Sequence, residues 1–188
     1  MAADRTADVL DATLRCLLRY GVRRTTVDDI AAEVGVSRSA VYQYVRGKDD
    51  AVRRVADRLH RRALTHAREA AVADAPLAER VHGILSAKVE LATGPFTESP
   101  HATELFDEQA RLCGDICREF TDELHSLLTT SLAAEHIDRP ADAARILLAT
   151  TIGLLSTGRP DLLRRATVAL LGGFYDHHTA YPSMRSLP

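Results

Sequence analysis

The chain has 188 residues, enough for one compact domain or for two small domains that share a core. Its composition, 46% hydrophobic and 27% charged with only 10 Gly and 7 Pro, excludes global disorder, and its abundance of Ala, Leu and Arg predicts an all-α fold without a sheet. The net charge of −2 excludes a basic field over the whole protein, so a nucleic-acid function would need locally gathered basic residues.

The first predicted helix runs from Thr6, whose hydroxyl can cap it, to Tyr20. Valine and leucine recur along it every three or four residues, which is the spacing of one buried helical face. Gly21 follows directly, and a glycine in this place is typical of the left-handed residue that ends many helices.

Residues 25–48, TTVDDIAAEVGVSRSAVYQYVRGK, predict a helix, a tight turn and a second helix. The hydroxyl of Thr26 can cap the first of them, over 27–34, whose opening aspartates complement the positive end of the helix dipole. A glycine then makes the turn, and Ser37 can cap a short second helix of about eight residues that ends at about Tyr44.

Beyond residue 48 the chain keeps the apolar spacing of helices. Four segments follow in order: a connecting helix over 48–73, a helix over 76–93, a loop over 93–100, and a long helix over 101–135 with a break allowed near Gly114. The loop is predicted because it combines glycine, two prolines and small polar residues.

The last two predicted helices, over 141–157 and 161–175, are apolar around most of their circumference, unlike helices on a protein surface. Gly153, Gly172 and Gly173 allow another helix to approach closely. We therefore predict that this pair packs against the same pair of a second chain in a homodimer. Burial in the core of the monomer is the alternative.

The second helix of the helix-turn-helix carries side chains suited to reading bases in a major groove. Four of them point outward while valines anchor the helix: Arg38, Ser39, Gln43 and Tyr44. Arginine pairs with guanine and glutamine with adenine, and a short serine lets the backbone come close. Between Arg19 and Lys48 the chain has six basic and three acidic residues, and this local charge of +3 favours contact with DNA.

Residues Val9 to Val52 contain, in order, LDA in the first helix, a glycine after it, TTVDDIA, GVS, VY, and a lysine followed by acidic residues. This ordered set closely resembles the DNA-binding region of the TetR family of bacterial transcriptional repressors. The resemblance implies about nine helices in two domains: a three-helix DNA-binding domain over 1–48, and a helical effector-binding and dimerisation domain over 49–188 that begins with the connecting helix.

The resemblance also assigns DNA contacts, since Thr26, Tyr42 and Lys48 stand where the family contacts phosphates. Two positions depart from the usual pattern of the family. Ser39-Ala40 replaces a frequent Gly-Thr, and Val45-Arg46 replaces an aromatic residue followed by proline or a small residue. These departures leave the fold prediction intact, but they prevent any transfer of an operator sequence.

The mechanism implied by the resemblance is repression. A dimer would occupy a near-palindromic site in double-stranded DNA, and a small-molecule effector of unknown identity would release it. Two alternatives stay open: an activator or effector-independent regulator of the same fold, and a helical interaction module that has lost DNA binding.

By the same resemblance, the effector pocket lies among the helices between about Pro76 and Ser131. The candidate lining residues are mostly apolar, as in most ligand sites: His82, Phe96, Phe106, Cys113, Cys117, Phe120 and Ile152. Ordinary core packing is the alternative for each of them.

Cys113 and Cys117 are four residues apart and share a helical face, so they could form a thiol sensor or bind a soft metal, although buried cysteines more often pack as small hydrophobes. His101, Glu104 and Glu108 also share a face, but no second cluster at ligand spacing accompanies them. We predict no metal and no cofactor. The usual motifs of hydrolases, nucleotide-binding enzymes and metalloproteases are absent, so we do not predict an enzyme.

The expected location is the cytoplasm. Three cysteines do not make a disulfide framework, and the acidic start of the chain is unlike a signal peptide. The longest uncharged apolar stretch, over 146–158, is shorter than the roughly 20 residues that span a bilayer, so no membrane association is expected.

Overall fold

The computed structural model describes residues 2–94, 97 and 99–180 and confirms the all-α prediction, since this part of the chain forms helices and no strand. It holds eight α-helices and one 3-10 turn, Pro160–Leu162. The α-helices are, in order, α1 Ala2–Arg24, α2 Val27–Val34, α3 Arg38–Val41, α4 Lys48–Ala71, α5 Leu77–Ala92, α6 Ala102–Ala134, α7 Pro140–Ser156 and α8 Leu163–Ala180. None of the described helices is both long and apolar enough to cross a membrane.

The chain divides into two compact units. The first, called the reading unit below, combines Met1–Arg62 with Leu91–Phe120. The second, called the C-terminal unit, combines Ala63–Glu90 with Thr121–Pro188. The predicted domain boundary after residue 48 differs from this division into compact units. It is a division by expected function, and it stays a prediction.

Helix α1 begins at Ala2, earlier than the predicted cap at Thr6, and its regular part ends at Gly21 as predicted. Gly21 has φ of 76° and ψ of 169°, a combination that is essentially restricted to glycine. A Cβ at this position would lie 2.5 Å from Oε2 of Glu104. The same carboxylate accepts a hydrogen bond of 2.6 Å from the backbone N–H of Arg23, so α6 closely covers the end of α1.

Replacing Gly21 with alanine should lower the free energy of unfolding by about 1–3 kcal/mol, the usual cost of a strained backbone conformation. The new methyl group would also push the Glu104 carboxylate away from Arg23. Urea unfolding monitored by circular dichroism measures the loss. Gly114→Ala is the matched control, because a Cβ there meets nothing within 4 Å; equal stability losses in the two variants would contradict the prediction.

Helix α2 has the predicted bounds because local residues fix both of its ends. At its start the hydroxyl and the backbone N–H of Thr26 both donate to the carboxylate of Asp29, at 2.7 and 2.8 Å, and hold the pKa of that carboxyl below its usual range. The N–H of Asp29 donates back to the hydroxyl, which completes a capping box. At its end Gly35 adopts a left-handed conformation with φ of 77°.

Helix α3 is shorter than predicted, since only the four residues Arg38–Val41 are α-helical. The chain continues in a tighter turn, in which the N–H of Gln43 donates to the carbonyl of Ala40 at 3.2 Å. The N–H of Arg46 donates to the carboxylate of Asp50 at 2.9 Å, which draws the backbone out of the helical pattern.

The three N-terminal helices and the start of α4 enclose a small apolar core. Its buried members are Val9, Leu10, Ala12, Cys16, Val27, Ile30, Ala31, Val41, Val45, Ala51 and Val55. This agrees with the predicted inward faces of the helix-turn-helix, and Val41 and Val45 anchor the short α3 segment as expected.

Helix α6 is kinked at Cys113, which has φ of −128° and ψ of 18°, one residue before the predicted break. The side chain of Arg53 on α4 stabilises the kink. Its guanidinium donates to the carbonyl of Leu112, next to the kinked residue, and makes two bonds of 2.8 and 2.6 Å to the carboxylate of Asp115. These bonds hold the pKa of Asp115 well below its usual range.

This ion pair predicts a pH dependence of stability. Because folding depresses the pKa of Asp115, the pair contributes stability above the unfolded value of about 3.9 and loses it as pH falls toward the lower folded value. Asp115→Asn should therefore be less stable than the wild type at pH 7, and the difference should shrink below about pH 4. Urea unfolding at pH 7, 5, 4 and 3 tests this. Arg53→Met should flatten the profile in the same way, and an undiminished difference at pH 3 would contradict it.

The C-terminal unit packs leucine-rich faces of α5, α6 and α7 into its own core, with Leu85, Leu124, Leu128 and Leu147 fully buried. Helix α8 packs beside α7 and is tied to α5, since Arg164 donates two hydrogen bonds to Glu79. The ends of α7 and α8 agree with the predicted helices to within a few residues, apart from the 3-10 turn before α8.

Candidate nucleic-acid interface

The turn between α2 and α3 builds a surface suited to a DNA groove. The hydroxyl of Ser37 accepts a hydrogen bond of 3.2 Å from the N–H of Ala40 and so caps the short helix, as predicted. Arg38, Ser39 and Gln43 are exposed beyond this cap, while Val41 is fully buried beneath them. The backbone therefore holds three polar side chains outward from a packed apolar core.

Arg38 is oriented by two neighbours. Its guanidinium donates to the carboxylate of Asp28 at 2.9 Å and to the hydroxyl of Tyr42 at 3.2 Å, and it lies 5.7 Å from the centre of the Tyr42 ring. The bond to Tyr42 and the charge of Asp28 raise the pKa of Arg38 further above its ordinary value, so the side chain is a permanent cation. DNA binding through Arg38 would exchange these partners for a base edge.

The three predicted phosphate contacts occupy different environments. The Thr26 hydroxyl donates to the carboxylate of Asp29 within the capping box and so stabilises the start of α2. Tyr42 is 44% exposed and offers its hydroxyl and ring at the surface. The ammonium of Lys48 donates to the carbonyl of Arg23 at 3.3 Å, which places its charge where the first and fourth helices meet.

Tyr44 differs from the other predicted base-reading residues. Its ring is half-buried and packs against the core of the three N-terminal helices. Its assignment to base reading stays a prediction, and core packing accounts for its observed contacts.

Two arginines extend the basic surface beyond the predicted set. Arg24 and Arg46 are exposed at either side of the helix-turn-helix, and within the described residues neither has a carboxylate at ion-pair distance. Both arginines were counted in the local positive charge, but neither was predicted to contact DNA. The sequence alone does not show which arginines form ion pairs with carboxylates. By contrast, a guanidinium nitrogen of Arg19 lies at ion-pair distance, 3.6 Å, from a carboxylate oxygen of Glu33.

The comparison with known proteins begins with the same region. Residues 9–55 match the model of the tetR family of bacterial regulatory proteins. This segment is thus a TetR-type DNA-binding region. This placement among regulatory proteins agrees with the expectation that the chain is not an enzyme.

One curated relative of this region is the HTH-type transcriptional regulator TtgR of Pseudomonas putida. It is 37% identical over 59 residues, which make up 31% of this chain. The match spans 28% of the length of the curated relatives. It therefore shows similarity in the DNA-binding region and not in the remainder of the protein.

Solved structures of similar fold cover nearly the whole chain. A candidate transcriptional regulator from Pseudomonas aeruginosa PAO1 has a TM-score of 0.74 and 23% identity, covering 97% of this chain and 96% of its own. SmeT, the repressor of the Stenotrophomonas maltophilia multidrug efflux pump SmeDEF, has a TM-score of 0.63 and 20% identity, covering 97% of each chain. A complex of SmeT with triclosan has the same TM-score and identity, covering 97% of this chain and 98% of its own. At these identities the similarity shows the fold alone.

The predicted effector-pocket residues are distributed over both units. Cys113, Cys117 and Phe120 belong to the reading unit, where Cys113 borders a cavity of about 30 Å³ lined mainly by apolar side chains. His82 and Ile152 belong to the C-terminal unit, and Ile152 is 47% exposed. Phe96 and the side chain of Phe106 lie outside the described residues. The pocket assignment stays a prediction for all seven.

His82 shows signs of an unusual environment within the C-terminal unit. Burial, followed by the nearby charge of Arg164, lowers its pKa and favours the neutral imidazole. Among the described residues its buried Nδ1 has no hydrogen-bond partner. A buried polar atom of this kind is compatible with a ligand that would supply the missing bond.

His101, Glu104 and Glu108 are engaged in structural contacts. Nε2 of His101 lies 3.2 Å from the carbonyl of Arg19, Glu104 accepts from the backbone of Arg23, and Glu108 pairs with Arg111. Within the described part of the chain, no three His, Cys, Asp or Glu side chains are arranged to hold a metal ion.

Proposed function

We propose that this chain is a TetR-family regulator, a homodimeric transcriptional repressor that binds a near-palindromic operator and leaves it when a small molecule binds. The observation that carries DNA binding is the turn capped by Ser37, which holds Arg38, Ser39 and Gln43 exposed on a packed three-helix core. A rigid support of this kind keeps reading side chains in one register. Residues 1–48 would form the DNA-binding domain, and 49–188 the effector-binding and dimerisation domain.

The proposed DNA contacts divide into two groups. Base edges would be read by Arg38, Ser39, Gln43 and Tyr44, and phosphates would be held by Thr26, Tyr42 and Lys48. Phosphate contacts fix position and base contacts supply sequence preference, so the two groups should respond differently to changes of DNA sequence.

The homodimer is supported by apolar side chains that the C-terminal unit leaves exposed. Ile146 and Ile152 on α7 are 45% and 47% exposed, and Val168 and Tyr175 on α8 are 55% and 50% exposed. Exposed apolar side chains gathered on two adjacent helices are typical of an interface. A two-fold dimer would present two reading units to major grooves about 34–36 Å apart, or further if the operator is longer.

The structural neighbour SmeT supports two parts of the proposal, repression and release by an effector. SmeT is a repressor, and its structure has been solved with triclosan. Triclosan binding to that protein suggests an uncharged, largely apolar effector class for this chain. The coupling between effector and operator would need only about 1–3 kcal/mol.

Sequence-specific retention of DNA tests the proposal. Purified protein should protect one near-palindromic segment upstream of its own or a neighbouring gene in a footprinting experiment, and binding should weaken steeply with salt. Failure to protect any segment over a non-specific background would refute the DNA-binding function.

The two lysines of the chain offer a matched test of the phosphate assignment. Lys48→Ala should weaken binding to all DNA sequences about equally and lower the slope of log affinity against log salt by about 1 for each subunit. Lys88, whose ammonium donates to Thr121 at 2.9 Å in the C-terminal unit, provides the control variant Lys88→Ala. Identical salt slopes for wild type and Lys48→Ala would reject the contact.

A further inference from the structure

A thiol and an imidazole meet in the reading unit, away from the helix-turn-helix. Nε2 of His60 on α4 lies 3.5 Å from the sulfur of Cys117 on α6. The His60 side chain is buried, and the edge of the Phe120 ring packs against it with ring centres 5.3 Å apart. Cys117 is partly exposed, whereas the other two cysteines are buried.

The hydrogen bonds of His60 fix its tautomer. Nδ1 lies 2.7 Å from the carbonyl oxygen of Ala56, and a carbonyl can only accept, so Nδ1 carries a hydrogen. In the neutral ring Nε2 then presents its lone pair toward the thiol of Cys117. This is the arrangement in which an imidazole removes the proton of a thiol and leaves a nucleophilic thiolate.

The other two cysteines have the opposite character. Cys16 and Cys113 are buried, and burial raises the pKa of each thiol to about 11. They are thus held as neutral thiols at physiological pH. Cys117 differs from both because it combines exposure with a basic nitrogen at hydrogen-bond distance.

We propose that Cys117 is a covalent modification site for small, uncharged α,β-unsaturated carbonyl compounds, with His60 as its proton acceptor. Nε2 of His60 takes the thiol proton, and the sulfur bonds to the β-carbon while the carbon–carbon π bond breaks to give an enolate. The proton then passes from His60 to the α-carbon, so the thiol adds across the double bond and no other reactant is consumed. This reaction is independent of the proposed DNA binding.

The surroundings select for an uncharged electrophile. Phe120 and the buried Cys113 flank the pair with apolar surface. The cavity that borders His60 and Cys113 measures about 30 Å³ and is otherwise lined by aliphatic side chains, so the surroundings of the imidazole favour an uncharged reagent.

Reaction of the full-length native protein with methyl vinyl ketone tests the proposal. Peptide mapping by mass spectrometry should find the first adduct on Cys117, formed with a larger rate constant than the adduct of glutathione under the same conditions. Glutathione is the reference because its thiol is fully exposed. A larger rate constant at Cys117 therefore cannot result from exposure alone. A rate at or below that of glutathione, or first modification of Cys16 or Cys113, would overturn the proposal.

Substitution of His60 distinguishes a role of its imidazole as a base from a role in packing alone. His60→Gln should slow adduct formation at Cys117 by roughly 10²-fold, the lower end of what a positioned general base contributes. Cys16→Ser, at a buried cysteine of the three-helix core, should leave the rate unchanged. Thermal unfolding confirms that each variant is folded, and the comparison with glutathione decides the question if His60→Gln does not fold. A rate unchanged in folded His60→Gln would overturn the role of His60 and with it the proposal.

Discussion

Replacing Arg38 with alanine is expected to weaken operator binding by about 1–3 kcal/mol for each of the two reading units, the usual contribution of a bidentate arginine contact to a base pair. The guanidinium is exposed and permanently charged, and it stands at the start of the short helix, where Ser37 caps the turn. The loss should be concentrated at one base pair in each half-site. Fluorescence anisotropy with the operator and with single-base variants measures both the affinity and the preference.

The control for this substitution is Arg139→Ala. Arg139 is also exposed and also paired with a carboxylate, Asp142 at 2.6 Å, but it belongs to the C-terminal unit. Its removal takes away the same charge, so it corrects for the general attraction between the protein and DNA. If Arg38→Ala and Arg139→Ala lower affinity equally, or if the base preference of Arg38→Ala is unchanged, Arg38 does not read a base.

The pairing of Arg38 with Asp28 bears on how this contact forms. Both side chains are exposed, and a surface ion pair of this kind contributes only about 0–1 kcal/mol, so a base edge can displace Asp28 at little cost. Asp28→Asn should raise affinity for all DNA sequences, because it removes both a competitor for Arg38 and a negative charge from the surface.

Elements bounded by local signals were predictable from the sequence. The ends of α2 follow from Thr26, Asp29 and Gly35, all of which lie within or next to that helix. The same holds for Gly21, whose positive φ was expected from its place after a periodic apolar segment. In each case the residues that decide the structure are neighbours in the chain, so their spacing carries the information.

Features decided by distant contacts were not predictable in the same way. The kink of α6 lies at Cys113 rather than Gly114, and the residue that braces it, Arg53, belongs to another helix. The pairing of Cys117 with His60 joins residues 57 positions apart, and the sequence singled out only the two cysteines. Tyr44 was predicted to read bases from its helical spacing; α3 ends before it and its ring packs partly against the core, and the assignment stays a prediction.

The proposed homodimer interface gives the second large expected effect. Ile146, Ala149 and Gly153 follow one another at helical spacing along α7 and are all exposed, and Val168, Gly172 and Tyr175 do the same along α8. The opposite faces of both helices, with Leu147, Thr151, Leu163 and Thr167, are buried in the C-terminal unit. Each helix therefore has one apolar face covered by its own chain and a second face of apolar and small residues that its own chain leaves uncovered.

Ile146→Glu combined with Val168→Glu should convert the proposed dimer to a monomer and lower operator affinity by about 10²–10⁴-fold, because two linked reading units gain about this much over one. Both positions are about half exposed in the single chain, so the carboxylates cost little there, but an interface would bury four of them from two chains. Sedimentation equilibrium measures the mass and anisotropy the affinity. Val72→Glu is the control, since Val72 is 84% exposed and lies outside α7 and α8. A double variant that stays dimeric, or a monomer that keeps full operator affinity, would show that this face does not set the distance between two reading units.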